Sequence, residues 1–594
     1  MFFRLCYNHF SMQSLLRKVR TRALFSALIA ALAALTLSAK ASAQTPSTGR
    51  ASGQQGVYLV FPFENSGSAP NLDWLGEGLE ELTIQRLSAV GEAVYSHAGR
   101  GGELERYGLP SSAKLSRATM LRIAEDLDAD YVVVGSFVSD GTSLLLESRV
   151  LRVGSTTLLP PVRESGRLDA LMDVATRLAW RTLSTNQRAY PLSLEEFAKK
   201  QRPLRLDSFE HYIRGLIATD DEAKLRNLRE AARLEPEWPD PDFALGEAYF
   251  ARRDCNAALP WFARVPKAHP RAVEATFASG VCELLSKHPE RAEELLTGLQ
   301  ESLRTGSEPA ADLPEVLNDL ALARARNGKL AEAQQDLRKA AEMDPDEDDY
   351  SFNQGLLALR ANEPKAAVEH FREAAAREPD NAEDRSFLIL ALEKAGQNAE
   401  AEEERDSALE AFGPNGLPAI HWDAKDEAAL AKFDRVKTEV DTAALQLQFK
   451  SPNAPALAAG DSASSPDTPS TLVRRARQSL SAGKLDAAEE SFRTALAAEP
   501  TNSAAHRGLA EVARRRGKLD EAVKELQASL QQRDSAVART VLARIYLEQK
   551  KPQLARAELE RALKLAPNYT EAKQLLEHLP SGKPADTKPS GGAR

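Results

Sequence analysis

The sequence predicts an α/β amino-terminal domain, a small mixed sheet with helices, followed by an all-α solenoid of helical hairpins in two arrays. Three observations carry that expectation. Small and large apolar residues recur at a 34-residue interval through roughly half the chain, whereas residues 57–185 alternate strand-like and helix-like runs. The composition fits both: 594 residues are too many for one core, 43% of them are hydrophobic, and only 6% are aromatic in a background rich in helix-forming Ala, Leu, Glu and Arg.

The first 43 residues read as a signal peptide. Arg17, Lys18, Arg20 and Arg22 precede a 16-residue apolar run, Ala23 to Ser38, and Ala41-Ser42-Ala43 supplies small residues for cleavage. The run is shorter than the ~20 residues that span a bilayer, and no cysteine follows the cleavage point, so the expectation is an exported chain in the periplasm or beyond. Removing residues 1–43 takes away six basic residues (Arg4, Arg17, Lys18, Arg20, Arg22, Lys40) and no acidic ones. That leaves 71 basic against 86 acidic residues, a net charge of −15. Such a balance argues against nucleic acid and against strong membrane binding after the signal is removed.

From Val57 the rhythm changes. "VYLVFPF" reads as a buried strand, a helix follows Asp73, and "EAVYSH" (92–97) is a second strand. Residues 116–127 are helical, 129–153 form a hairpin turning at Asp140-Gly141, and 168–183 close the domain with a helix. "LVFPFENSG", "WLGEGLEELTIQRLS" and "LDADYVVVGSFVSDG" resemble the amino-terminal domain of the TolB translocation protein and, more distantly, CsgG-type secretion lipoproteins. The resemblance covers 57–185 and implies a protein-binding module of the cell envelope without catalysis. No β-propeller follows, which separates this chain from TolB itself.

The repeats begin at about 205. Gly246, Ala258 and Phe262 are matched 34 residues later by Gly280, Ala292 and Leu296. Ala333, Leu337, Ala340 and Pro345 are matched by Ala367, Phe371, Ala374 and Pro379, then by Ala401 and Ala408. Ala488, Phe492, Ala495 and Pro500 open a third phase, continued by Ala522 and Leu526 and by Ala555, Leu559, Ala562 and Pro567. Small residues let paired helices approach, large ones fill the space between them, and Pro ends the second helix. Gly in the turns "NGKL", "AGKL" and "RGKL" stops the first helix. The pattern resembles the tetratricopeptide repeat (TPR) family, in an array over 205–413 and another over 471–579. Residues 303–314 and 414–422 interrupt it as loops. Phe433, Val436, Val440, Ala443 and Leu447 in 423–449 follow 3-4 spacing and predict an amphipathic helix that covers the end of the first array. Residues 451–470 read as a flexible linker and 580–594 as a disordered tail.

Motifs for catalysis, cofactors or metals do not assemble. Gly76-X-Gly78 lacks the third glycine of a dinucleotide loop and reads as helix–sheet packing. "DPDEDD" (344–349) lacks the Gly and distant Glu of a calcium loop and reads as a solvated turn. His97, His211 and His370 read as surface or gap-filling residues. Cys255 and Cys282 fall on helices that stacking brings close; two buried free thiols are the default expectation and a disulfide the alternative. The functional expectation is therefore a non-enzymatic scaffold that binds protein or peptide partners of the cell envelope. Its groove residues would come from the first helix of each hairpin, such as Glu247, Asn318, Arg324, Asn353 and Arg507, with none singled out. The alternatives are a small-ligand, nucleotide-like sensing module coupled to the repeats, or a cytoplasm-facing TPR adaptor anchored by its leader.

Overall fold

A computed structural model describes residues 56–440 and 469–579, apart from short stretches at 68–70, 111–112, 128, 188–189, 306–311, 346, 379–380, 414–415, 424–430, 482 and 578. The predicted signal (1–43), linker (451–470, all but its last two residues) and tail (580–594) lie outside the described residues. Among those described, no helix is long and apolar enough to cross a membrane.

The amino-terminal sheet contains β1 (Val57–Val60), β2 (Glu64–Asn65), β3 (Ala93–Val94), β4 (Tyr131–Ser139), β5 (Ser143–Arg152), β6 (Thr157–Leu158) and β7 (Val162–Arg167). β1 runs parallel to both β3 and β4, and β2 continues alongside β4. β4 and β5 form the long antiparallel hairpin, in register from Tyr131 opposite Arg152 to Ser139 opposite Leu144. Its turn lies where Asp140-Gly141 predicts it. Gly141 has φ +91°, and the Asp140 carboxylate accepts from the Thr142 and Ser143 amides at 2.8 and 2.7 Å.

β1 is apolar at every position because both faces of the sheet are covered. Tyr58 and Val60 face one core with α1 (Trp74–Ser88) and α4 (Leu171–Asn186), and that core continues into the first repeat hairpin. Val57, Leu59 and Phe61 face a second core with α2 (His97–Arg106) and α3 (Arg117–Asp126). Gly76 is a close-approach residue: a Cβ there would lie 2.6 Å from the Phe63 carbonyl oxygen, and Phe63 N–H donates to the Gly76 carbonyl at 3.1 Å. That is the helix–sheet packing expected of the Gly-X-Gly start.

After α5 (Leu194–Lys199) come six helical hairpins: α6/α7 (Leu206–Ile217, Asp221–Leu234), α8/α9 (Pro239–Ala251, Cys255–Phe262), α10/α11 (Ala272–Leu285, Pro289–Thr305), α12/α13 (Pro314–Arg326, Leu330–Met343), α14/α15 (Asp348–Arg360, Pro364–Arg377) and α16/α17 (Ala382–Lys394, Asn398–Phe412). Beyond residue 468 lie α18/α19 (Pro469–Ser481, Leu485–Ala498), α20/α21 (Ser503–Arg515, Leu519–Gln532), α22/α23 (Ala536–Glu548, Pro552–Leu565) and α24 (Thr570–Glu577). The repeated alanines Ala333, Ala340, Ala367, Ala374, Ala488 and Ala495 are fully buried. The small-to-large contact inside a hairpin is direct: a Cβ on Gly246 would sit 2.5 Å from the Phe262 ring, and one on Gly355 would sit 2.7 Å from Phe371.

Two expectations are corrected here. Cys255 and Cys282 are joined as a disulfide rather than held as free thiols, their Cα atoms 5.1 Å apart at the meeting of α9 and α10. The amphipathic helix over 423–449 is not observed: residues 431–433 make a turn and 434–440 are open and non-helical. The remainder of that segment, apart from Asp423, lies outside the described residues.

Candidate peptide-binding groove

The open segment 431–440 lies in the groove formed by the first helices of the hairpins, and side chains of those helices hold its backbone. The Asn353 amide of α14 donates to the Arg435 carbonyl at 2.9 Å and accepts the Arg435 N–H at 3.0 Å. Asn318 of α12 donates to the same carbonyl at 2.9 Å, and Asp319 accepts the Lys437 N–H at 2.9 Å. Asn353 also donates to Asn318 Oδ1 at 2.8 Å, which fixes both amides in the orientation needed. Asp319 and Asn353 are 34 residues apart, so one repeat position in successive hairpins takes alternate backbone N–H groups of the segment.

The segment's side chains are read individually. Phe433 packs on Phe387 of α16 with ring centroids 5.0 Å apart. The fully buried Asp434 carboxylate accepts from Arg326 Nε and Arg360 Nη2, both at 2.9 Å. Those two arginines also stand 34 residues apart, each at the end of its helix. Arg435 lies over the Phe352 ring at 3.6 Å and donates to Asp348 at 2.7 Å and to Asp384. Val436 packs against Leu284 and Leu322, and Val440 reaches the core around Val273 and Val316. Lys437 lies between Glu347 (2.8 Å) and Asp349 (2.5 Å), above the Tyr350 ring. Beside the segment an open cleft of about 620 Å³ remains, lined by residues that include Leu285, Glu378, Asn381 and Glu383.

The groove is acidic and partly dry, and its carboxylates respond. Burial raises Asp319 to about 8. Burial likewise raises Asp348 and Asp384 to about 6, with Asp349 adding to the first and Arg435 opposing the second. Burial would lower Lys437, but it is raised as well, because the hydrogen bonds its ammonium donates to Asp349 and Glu347 outweigh that.

Of the five residues expected to line a groove, Asn318 and Asn353 do so. Arg324 turns instead to Asp336 of its own hairpin, and Glu247 pairs with Arg271 at 3.0 Å. Arg507 of α20 meets Asp126 of the amino-terminal domain at 3.3 Å. Around that contact Arg122 donates to the Leu565 carbonyl at 3.0 Å, Arg533 pairs with Glu125 at 3.0 Å, and the Tyr107 and Tyr569 rings lie 5.8 Å apart. The sheet's second core accordingly includes Ala543, Leu559 and Tyr569.

Glu347, Asp348 and Asp349 belong to the stretch expected to be a solvated turn; they instead hold Arg435 and Lys437. Sequence reasoning also missed Arg326, Arg360, Asp319 and Asp384, although the 34-residue spacing of the two arginines was a usable signal. Glu77, Glu80 and His97 form the other group of potential metal ligands among the described residues. Arg100 fills it, donating to Glu80 at 2.7 Å and to Glu77 at 3.1 Å.

Comparison with known proteins bears on the repeats. Tetratricopeptide repeat profiles match residues 243–305, 318–382, 353–416, 479–545 and 536–569. A search of curated proteins finds no significant match. Among solved structures, a crystal structure of MamA protein is 20% identical and covers 31% of this chain and 98% of its own, with a TM-score of 0.27. MamA 41-end from Desulfovibrio magneticus RS-1 is 26% identical over 30% and 98%, with a TM-score of 0.27. YrrB, described as a TPR protein with an unusual peptide-binding site, is 15% identical over 34% and 95%, with a TM-score of 0.26. The helical hairpins within residues 243–305, 318–416 and 479–569 are tetratricopeptide repeats.

Proposed function

We propose that the protein is a non-enzymatic scaffold of the bacterial cell envelope, which binds a protein partner through an open peptide segment laid in the groove of residues 205–413. The observation that carries this is the asparagine clamp: Asn318 and Asn353, bonded to one another, also turn their buried amide groups to the backbone of residue 435. Side-chain amides that satisfy both the N–H and C=O of one residue suit an open peptide and would be wasted on a helix. The envelope setting is supported by the leader-like residues 1–43 and by the Cys255–Cys282 disulfide, a bond that persists in oxidising compartments. The TolB-like sheet domain would supply the second binding surface at its β4–β5 end, where Val138 and Leu145 face each other across the ladder and are exposed.

Photo-crosslinking in cells tests the reading. A photoreactive residue at Leu285, exposed beside the cleft, is expected to capture a distinct envelope protein, and capture should disappear in the Asn318→Ala/Asn353→Ala background. Crosslinks confined to the chain's own residues in every condition would contradict it. Fractionation of the same cells tests the location.

A further inference from the structure

The groove is filled by this chain's own residues, and every recognition element in it has a partner on that segment. Phe433 has an aromatic face, Asp434 two buried arginines, Arg435 two carboxylates and a ring, Val436 an apolar patch, and Lys437 two more carboxylates. This specificity exceeds what tethering requires. A linker joining two sets of repeats could cross the surface with solvated side chains, yet the Asp434 side chain is fully buried and that of Arg360 only 4% exposed.

We infer that residues 433–437 are a pseudo-ligand that competes in cis for the groove. The partner bound in trans is then an open peptide with the same order of chemistry: aromatic, acidic, arginine, aliphatic, lysine. The inference rests on the peptide-binding reading above and adds the ligand pattern and its control. A trans peptide of that pattern regains each contact that the departing segment gives up. What opposes it is the high effective concentration of the tethered segment, on the order of millimolar for a short tether. Binding in trans is therefore weak until the segment is weakened or drawn away. A peptide lacking the Arg and Lys would leave Asp348, Asp384, Glu347 and Asp349 facing one another unpaired, a strong penalty against wrong partners.

The test uses the full chain and a fluorescent synthetic peptide with the sequence of residues 429–442. Arg435→Glu/Lys437→Glu places two negative charges in an acidic groove and should release the segment. Phe433→Ala/Val436→Ala weakens it without changing charge, and serves if the first variant does not fold. Either folded variant is expected to bind the peptide about tenfold or more tighter than the unaltered chain. Adding Asn318→Ala/Asn353→Ala should abolish that gain. The unaltered chain gives an independent readout, because excess peptide should speed amide exchange at Arg435 and Lys437. Equal peptide affinity in the unaltered and released chains, or no exchange response to the peptide, would overturn cis competition. A distinct protein still captured at Leu285 under those results would leave the scaffold reading standing, whereas its loss would end both.

Discussion

Two faces of this solenoid occupy the same repeat position and use it differently. Asn318 of α12 and Arg507 of α20 stand at the same distance before their Gly-Lys-Leu turns. Asn318 takes a backbone carbonyl of the chain's own open segment, whereas Arg507 takes the Asp126 carboxylate of the sheet domain. The first face holds an open segment, with the Asn318 and Asn353 amides and the Asp319 carboxyl on the backbone and charges on the side chains. The second is built for a folded surface, with a cation aimed at one buried acid and Tyr569 inserted beside Tyr107. The repeat supplies the geometry in both cases, and one residue at a shared position decides what it holds.

The largest test of that contrast is Asp434→Ala. It leaves Arg326 and Arg360 buried without their shared carboxylate, and loss of about 3–5 kcal/mol is expected in chemical denaturation of the first groove's hairpins. Arg507→Ala should cost about 1–3 kcal/mol, by leaving the buried Asp126 short of a charged donor, and should loosen the sheet domain while residues 431–440 stay protected. If both substitutions destabilised the same transition equally, the two faces would not be independent. Asn353→Ala removes two hydrogen bonds to one residue and should cost about 1 kcal/mol, with Phe433 leaving its aromatic contact. Its readout is the chemical shift of the Phe433 ring.

A further test is the dependence of stability on pH. The Asp319 carboxyl is raised to about 8 in the folded chain against an ordinary value near 4, so the folded state holds its proton more tightly than the unfolded state. Stability from this group is therefore greatest below pH 4 and falls as pH rises to about 8. Asp319→Asn keeps an acceptor for the Lys437 N–H and should flatten the stability profile across that window. A profile unchanged by the substitution would show that Asp319 ionises freely.

What the sequence made legible follows from what each residue reports. The hairpins were readable because Ala333, Ala367 and their equivalents are buried at a fixed period, and the β1 strand because both its faces are covered. β7 was missed: in "VRESGR" only Val162 is buried, and Gly166 is held by close approach, with a Cβ there meeting Val174 at 2.6 Å. Over 431–440 the expected helix is absent for a more instructive reason. The 3-4 spacing of Phe433, Val436 and Val440 is real, but Phe433 packs on Phe387 while Val436 and Val440 share the apolar patch around Val273 and Val316. The hydrogen bonds that would have closed a helix are supplied by Asn353 and Asp319 instead. A periodic apolar stripe therefore reports a partner surface before it reports a helix. For the groove, two of the five residues expected to line it were placed correctly by hairpin position alone. The acidic residues 347–349 had the composition of a solvated turn, and only the presence of Arg435 and Lys437 gives them a role.

The most direct test of the central claim is site-resolved amide hydrogen exchange at Arg435 and Lys437 in the unaltered chain. Both amides are expected to exchange slowly, as hydrogen-bonded, part-buried donors to Asn353 and Asp319, and Arg435 should lose its protection in Asn353→Ala. Exchange at the rate of an unstructured peptide in the unaltered chain would contradict the account, because the segment would then not occupy the groove.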